Sequence, residues 1–270
     1  MEWLHGYYMD YVWQRRGKDI IPRFRAGHQK IGFTRFEHGI IKRRVVEGNT
    51  EEDDPWRIGH PVIFPYILRV GGGGSSTFQI RVPVDDTHTW HMYYNTYHPG
   101  VPVPPQNSMP VYEIPLTDEG GKYMTEMVAV QDMWAWVTQG PYARRDLEKL
   151  GQTDVGVIMF RELLLEQMAR VERGEEPTLE VYRDPAKNVR IDLPQEQLSY
   201  DTRIKRQLGM QFRPGQFEQT PLRFSPQVDL LRAVFQEADE RAARGEALIP
   251  FPEPPAYPVG DGFKEVQLKP

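Results

Sequence analysis

Cysteine is absent from this 270-residue chain. That excludes disulfides, a thiolate nucleophile, cysteine zinc sites and any iron–sulfur cluster held by the chain itself. An excess of positive charge is lacking too. The formal charge is −5, so the field of the molecule favours neither nucleic acid nor an anionic membrane. No apolar run approaches the ~20 residues needed to cross a bilayer, and Met1 to Phe24 lacks the basic-then-apolar order of a signal peptide. There is no internal repeat. The glycine run from Gly71 lacks the Lys-Ser/Thr of a phosphate loop. The default that remains is a cytoplasmic globular protein, long enough for one well-buried core.

What is present reads first as strands. Ile31–Phe36 and Ile40–Glu47 flank the turn Glu37-His38-Gly39, a hairpin pattern. Pro61–Val70 reads as one strand, and Phe78–Pro83 and Thr87–Tyr97 as two more around Val84-Asp85-Asp86. Short turns between successive strands imply an antiparallel sheet and an α+β class, not alternating β and α units. Val101–Pro115 is proline-rich and reads as an ordered loop crossing the sheet, and Thr117 to Gly121 as a turn.

Helical signals are fewer. Trp3, Leu4, Tyr7 and Tyr8 have helical spacing with no disordered lead and no cap signal before Trp3, so the segment reads as a domain entered partway through an element. The best helix is capped by Thr153 or Asp154 and stops at Gly174. Its stripe Val157, Phe160, Leu164, Met168 and Val171 is expected in the core. Beyond Pro177 prolines recur, interrupted by one helix near 226–244 with Val228, Leu231, Phe235 and Ala238 on one face. We therefore expect a domain over 1–177 and an extended arm over 178–270.

For chemistry, Asp132 is the residue around which the rest is arranged. It stands between Val130 and Met133 with Trp134 and Trp136 just behind. A carboxylate in such apolar company needs a hydrogen-bond donor, a cation or a metal. A helix N-cap or a paired buried Asp satisfies that need as well. His5, on the core side of the first helical segment, is either a hydrogen-bonded core histidine or a ligand. His88 and His91 are three apart in a strand pattern and point away from each other. His28, His38, His60 and His98 lie near turns, and Asp53-Asp54 and Asp85-Asp86 read as turn residues.

Several segments taken together resemble the catalytic half of Rieske-type aromatic ring-hydroxylating oxygenases, nearest the phthalate 4,5-dioxygenase-like branch. They are Glu2-Trp3-Leu4-His5, Val82 to Thr89, Val130-Gln131-Asp132-Met133, Thr138-Gln139-Gly140 and Glu148 to Asp154. The resemblance runs from Met1 to about Pro177, and Ala143-Arg144-Arg145-Asp146 departs from the family pattern. It implies a helix-grip domain and a mononuclear Fe(II) held by two histidines and one carboxylate. His5 matches the second histidine and Asp132 the carboxylate. The first histidine would fall immediately before Met1, with the family's bridging Asp and its 2Fe–2S Rieske domain further upstream.

The resemblance further implies a reductase passing electrons from NADH, dioxygen and an aromatic acid as substrates, and a homotrimer or stacked trimers. Trp134, Trp136 and the Thr87–Tyr97 strand would line the substrate cavity, and the chain alone would not turn over. The alternative is a redox-silent module of the same fold that binds a hydrophobic ligand.

Overall fold

The computed structural model describes residues 3–15, 17, 27–72, 75–177, 193, 221–250 and 263–267. The expected arm therefore lies outside the described residues over most of 178–220. The chain divides into two compact units. One comprises Met1–Ala26, Tyr97–Ala143 and Tyr200–Phe251; the other Gly27–Thr96, Arg144–Ser199 and Pro252–Pro270. None of the described helices is long and apolar enough to cross a membrane.

The second unit holds a seven-stranded sheet. Its strands are β1 (His28–Phe36), β2 (Gly39–Val46), β3 (His60–Ile63), β4 (Ile67–Gly72), β5 (Ser75–Pro83), β6 (Thr89–Tyr97) and β7 (Lys264–Gln267), in the order β6-β5-β4-β3-β2-β1-β7. The pairings of β1 with β2 and β7, of β2 with β3, and of β4 with β3 and β5 are all antiparallel. A mixed fold with one large antiparallel sheet is thus established. The β1–β2 hairpin is present as expected, but its turn is tighter, with Gly39 already in β2 and opposite Phe36. Gly39 adopts φ 145°, and a Cβ there would lie 2.9 Å from Phe64 N, so the turn and the approach of β3 both require glycine.

Pro61–Val70 is two strands, not one. Phe64 to Tyr66 form a turn between β3 and β4. Pro65 has no N–H to offer a ladder, so a strand running through it would lose a bond. β2 is buried along most of its length, including Arg43 and Arg44. The Arg43 guanidinium donates to the carbonyls of Trp56 (2.6 Å) and Arg57 (2.7 Å) at the end of α2 (Asp54–Arg57), while burial draws its pKa below the usual arginine range.

The best helix, α4 (Val155–Glu172), packs on this sheet with a different face from the expected one. Met159, Leu163 and Gln167 are buried, and Met159 and Leu163 join Ile40 and Phe64, flanked by Phe33 and Phe160. Val157, Leu164, Met168 and Val171 are exposed. Both stripes satisfy the helical period, because the first half of α4 is apolar almost all round. Gly156 decides between them: a Cβ there would lie 2.6 Å from Phe33 Cζ, so only glycine admits that ring.

The first unit is built from short elements around two cores. A turn of π-helix, Trp3–Tyr8, leads into α1 (Met9–Gln14). In this segment Gly6, Met9, Asp10 and Trp13 are buried, whereas Trp3, Tyr7 and Tyr11 are exposed. Residues 98–127 are irregular apart from the turn in which Asp118 Oδ1 accepts from Gly120 N and Lys122 N. There follows α3 (Val128–Val137), which buries Val130 with Met124 and Met127 against Ile114, Leu116, Met133 and Phe224. The tail helix α5 (Val228–Ala243) buries Leu231, Val234, Phe235 and Ala238 with Val101 and Leu222. Ser225 precedes it and accepts from Gln227 N through its hydroxyl.

Candidate metal-binding site

Asp132 is the fifth residue of α3, whose N-cap is Met127. The N-cap explanation therefore fails, and the carboxylate needs a partner elsewhere. That partner comes from the other end of the sequence. His5 Nε2 lies 3.2 Å from Asp132 Oδ1, with the two side chains 12% and 16% exposed. A π-helical turn is wider than an α-turn and recurs at functional sites. Here it carries His5 while Gly6 packs inward.

The residue before the carboxylate completes the cluster. Gln131 is fully buried; its Oε1 lies 2.8 Å from His5 Nδ1 and its Nε2 donates to Thr125 O at 2.6 Å. The Thr125 hydroxyl lies 3.0 Å from Tyr8 Oη. The Tyr8 ring leans on Trp134 at 6.3 Å between centroids, and Trp134 in turn meets Tyr123 at 6.1 Å. In the sequence Gln131 stands only as part of a family-like segment and Tyr8 only as part of a helical pattern, and neither they nor Thr125 carried a role there. The fold brings all three to the cluster around His5.

Below the cluster the packing is polar as well as apolar. Trp13 is fully buried and donates from Nε1 to Glu126 O at 3.1 Å. Glu126, itself buried, pairs with Arg223 at 3.0 Å, and the Arg223 guanidinium lies over the Phe224 ring. These contacts fix the start of α3, and with it the direction in which Asp132 projects.

The pair fits a metal in spacing. Two ligand atoms bonded at about 2.1 Å and set at a right angle stand about 3.0 Å apart, close to the 3.2 Å observed. Neutral imidazole and carboxylate together suit a borderline divalent ion such as Fe(II). Two positions are supplied; among the described residues no group of three or more histidines and carboxylates gathers to hold an ion.

Asp85, His88 and His91 belong to the second unit. His88 stands in the turn before β6, its Nδ1 2.9 Å from Asp85 Oδ1, and His91 packs on the Tyr93 ring. Asp85 also accepts from Thr87 N and His88 N, which confirms it as a turn residue and holds its pKa at about 2. Trp136 lies one helical turn beyond Asp132 on the same face and is partly exposed, while Trp134 projects to the Tyr8 side. In the segment that departs from the family pattern, Arg144 and Asp146 form a two-pronged ion pair and Glu148 binds Arg145 and Arg161.

Comparison with known proteins adds sequence likeness to this geometry. No family model matches the chain. It is 33% identical over 195 residues to the oxygenase subunit of the 5,5'-dehydrodivanillate O-demethylase of a Sphingobium species, covering 72% of this chain and 44% of that protein. It is 28% identical over 195 residues to the phthalate 4,5-dioxygenase oxygenase subunit of Pseudomonas putida, covering 60% of this chain and 42% of that one. The chain spans less than half the length of either relative. By this likeness the chain is a homologue of oxygenase subunits from aromatic O-demethylase and dioxygenase systems.

Proposed function

We propose that this chain is the catalytic part of a Rieske-type ring-hydroxylating oxygenase, a helix-grip domain that binds a mononuclear Fe(II) through His5 and Asp132 and accepts an aromatic carboxylate. One observation carries the reading: an imidazole and a carboxylate 127 positions apart in sequence meet at 3.2 Å in a largely buried setting. When bound, the iron supplies open positions for dioxygen. Each dioxygen consumes two electrons from NADH and two protons, whether both oxygen atoms enter the substrate or one leaves as water. The electrons reach the site through a reductase and a Rieske cluster, and a chain without cysteine leaves that cluster to another segment or subunit. Electrons would pass between subunits of a homotrimer or of stacked trimers.

Within the chain the division of labour is as follows. His5 Nε2 and Asp132 Oδ1 hold the ion, and Trp136, on the carboxylate's face of α3, offers a flat apolar surface to an aromatic ring. The greater identity to a demethylase favours a second substrate class, an aryl methyl ether, whose oxidation releases formaldehyde.

Anaerobic Fe(II) titration of the chain tests the site. Weak one-to-one binding that His5→Ala or Asp132→Ala abolishes is expected, since two protein ligands give modest affinity. Supplying a Rieske segment and reductase with an aromatic carboxylate should then give NADH-dependent oxygen uptake. No uptake across a broad panel of aromatic acids and aryl ethers would favour the hydrophobic ligand-binding module instead.

A further inference from the structure

We propose that Gln131 is a positioning residue that sets the tautomer of His5, keeping the Nε2 electron pair directed at the ion position. The inference rests on the reading of His5 and Asp132 as metal ligands. A carboxamide's orientation is fixed by its neighbours, and here the neighbour is unambiguous. Thr125 O can only accept, so the Gln131 NH2 group faces it at 2.6 Å. The Gln131 oxygen consequently faces His5 Nδ1 at 2.8 Å and requires an N–H there.

With its proton on Nδ1, neutral His5 presents a lone pair from Nε2 toward Asp132 Oδ1, 3.2 Å away. Two electron pairs at that separation call for a cation between them, a proton in the metal-free chain or the ion when it is bound. The other neutral tautomer would set the Nδ1 lone pair against the Gln131 oxygen inside a group that is 0% exposed, where opposed acceptors have no water to relieve them. Ligating histidines characteristically give their second N–H to an acceptor that fixes the ring and raises its basicity. In this chain an amide does so, and its own orientation is locked by the backbone just ahead of α3.

The test uses the full chain, 15N-labelled at histidine, with Co(II) as the metal probe. In the metal-free wild type the His5 ring should carry a proton on Nδ1, with a nuclear Overhauser contact to the Gln131 side chain. Gln131→Leu should shift the proton to Nε2 and lower Co(II) affinity about 10- to 100-fold. Gln131→Glu, which keeps an acceptor for Nδ1 but loses the donor to Thr125 O, should retain the Nδ1 proton and bind Co(II) more tightly than Gln131→Leu. An unprotonated Nδ1 in the wild type overturns the proposal whether or not any variant folds. So does an equal loss of Co(II) affinity in the two variants with circular dichroism unchanged, because Gln131 would then act by packing alone. A wild type that keeps the Nδ1 proton but takes up no Co(II) would overturn the metal reading and leave the tautomer assignment standing.

Discussion

Gly156 of α4 sits directly against the ring of Phe33 on β1, so close that a methyl group there would stand 2.6 Å from Phe33 Cζ. This contact fixes the rotation of the longest helix about its axis. Turning the helix by one residue would drive a side chain into that ring.

The rotation makes neighbouring leucines unequal. Leu163→Ala removes a side chain that is 5% exposed and should cost about 2–5 kcal/mol in urea unfolding. Leu165→Ala, 65% exposed, should stay within about 0.5 kcal/mol. Gly156→Ala should cost about 1–3 kcal/mol by overpacking. Equal costs at the two leucines would show the helix to be seated on another face.

Glu126 and Arg223 form a partly buried pair beneath α3. Replacing Arg223 with Met leaves a carboxylate that is 10% exposed without this guanidinium and should destabilise by about 1–3 kcal/mol. In a double-mutant cycle with Glu126→Gln, the double variant should be less destabilised than the sum of the singles. Strict additivity would remove the pair from the account of how α3 is held.

Asp85 organises the β5–β6 turn by accepting from two backbone N–H groups and from the side chains of Thr87 and His88. These bonds, that from Thr87 N first, lower its pKa to about 2. Its folded pKa is depressed, so its contribution to the turn is complete above the unfolded value near 3.9 and is lost as pH falls through about 2. Carboxyl 13C titration should find Asp85 still ionised at pH 3. A midpoint near 4 would mean that the turn bonds do not persist in solution.

Asp132→Asn keeps the size of the side chain and removes its charge. Co(II) affinity should fall at least 10-fold while the midpoint of thermal unfolding of the metal-free protein changes little. Unchanged affinity would place the ion elsewhere.

Much of the sheet was readable because its signals are local. The β1–β2 hairpin follows from the Glu37-His38-Gly39 turn signal between two strand patterns, and the β5–β6 turn from Val84-Asp85-Asp86, although β6 begins at Thr89 and not at Thr87. Pro65 was the overlooked breaker in what looked like one strand. The rotation of α4 was not readable from periodicity, since two apolar stripes compete and the deciding group is an absent Cβ. Asp132 stood out by its apolar neighbours, but its pairing with His5 came from family resemblance, not spacing: no periodic argument joins residues 127 apart. Gln131 escaped notice because a buried amide reveals its role only through its partners.

One rim of the sheet bears on handling. Among the described residues β6 ends the sheet, and its nine residues, Thr89 to Tyr97, carry no lysine, arginine, aspartate or glutamate. Such charges commonly keep a terminal strand from recruiting the strand of another molecule. On heating, loss of material should then follow the rate of intermolecular association, with midpoints that drift with scan speed and protein concentration.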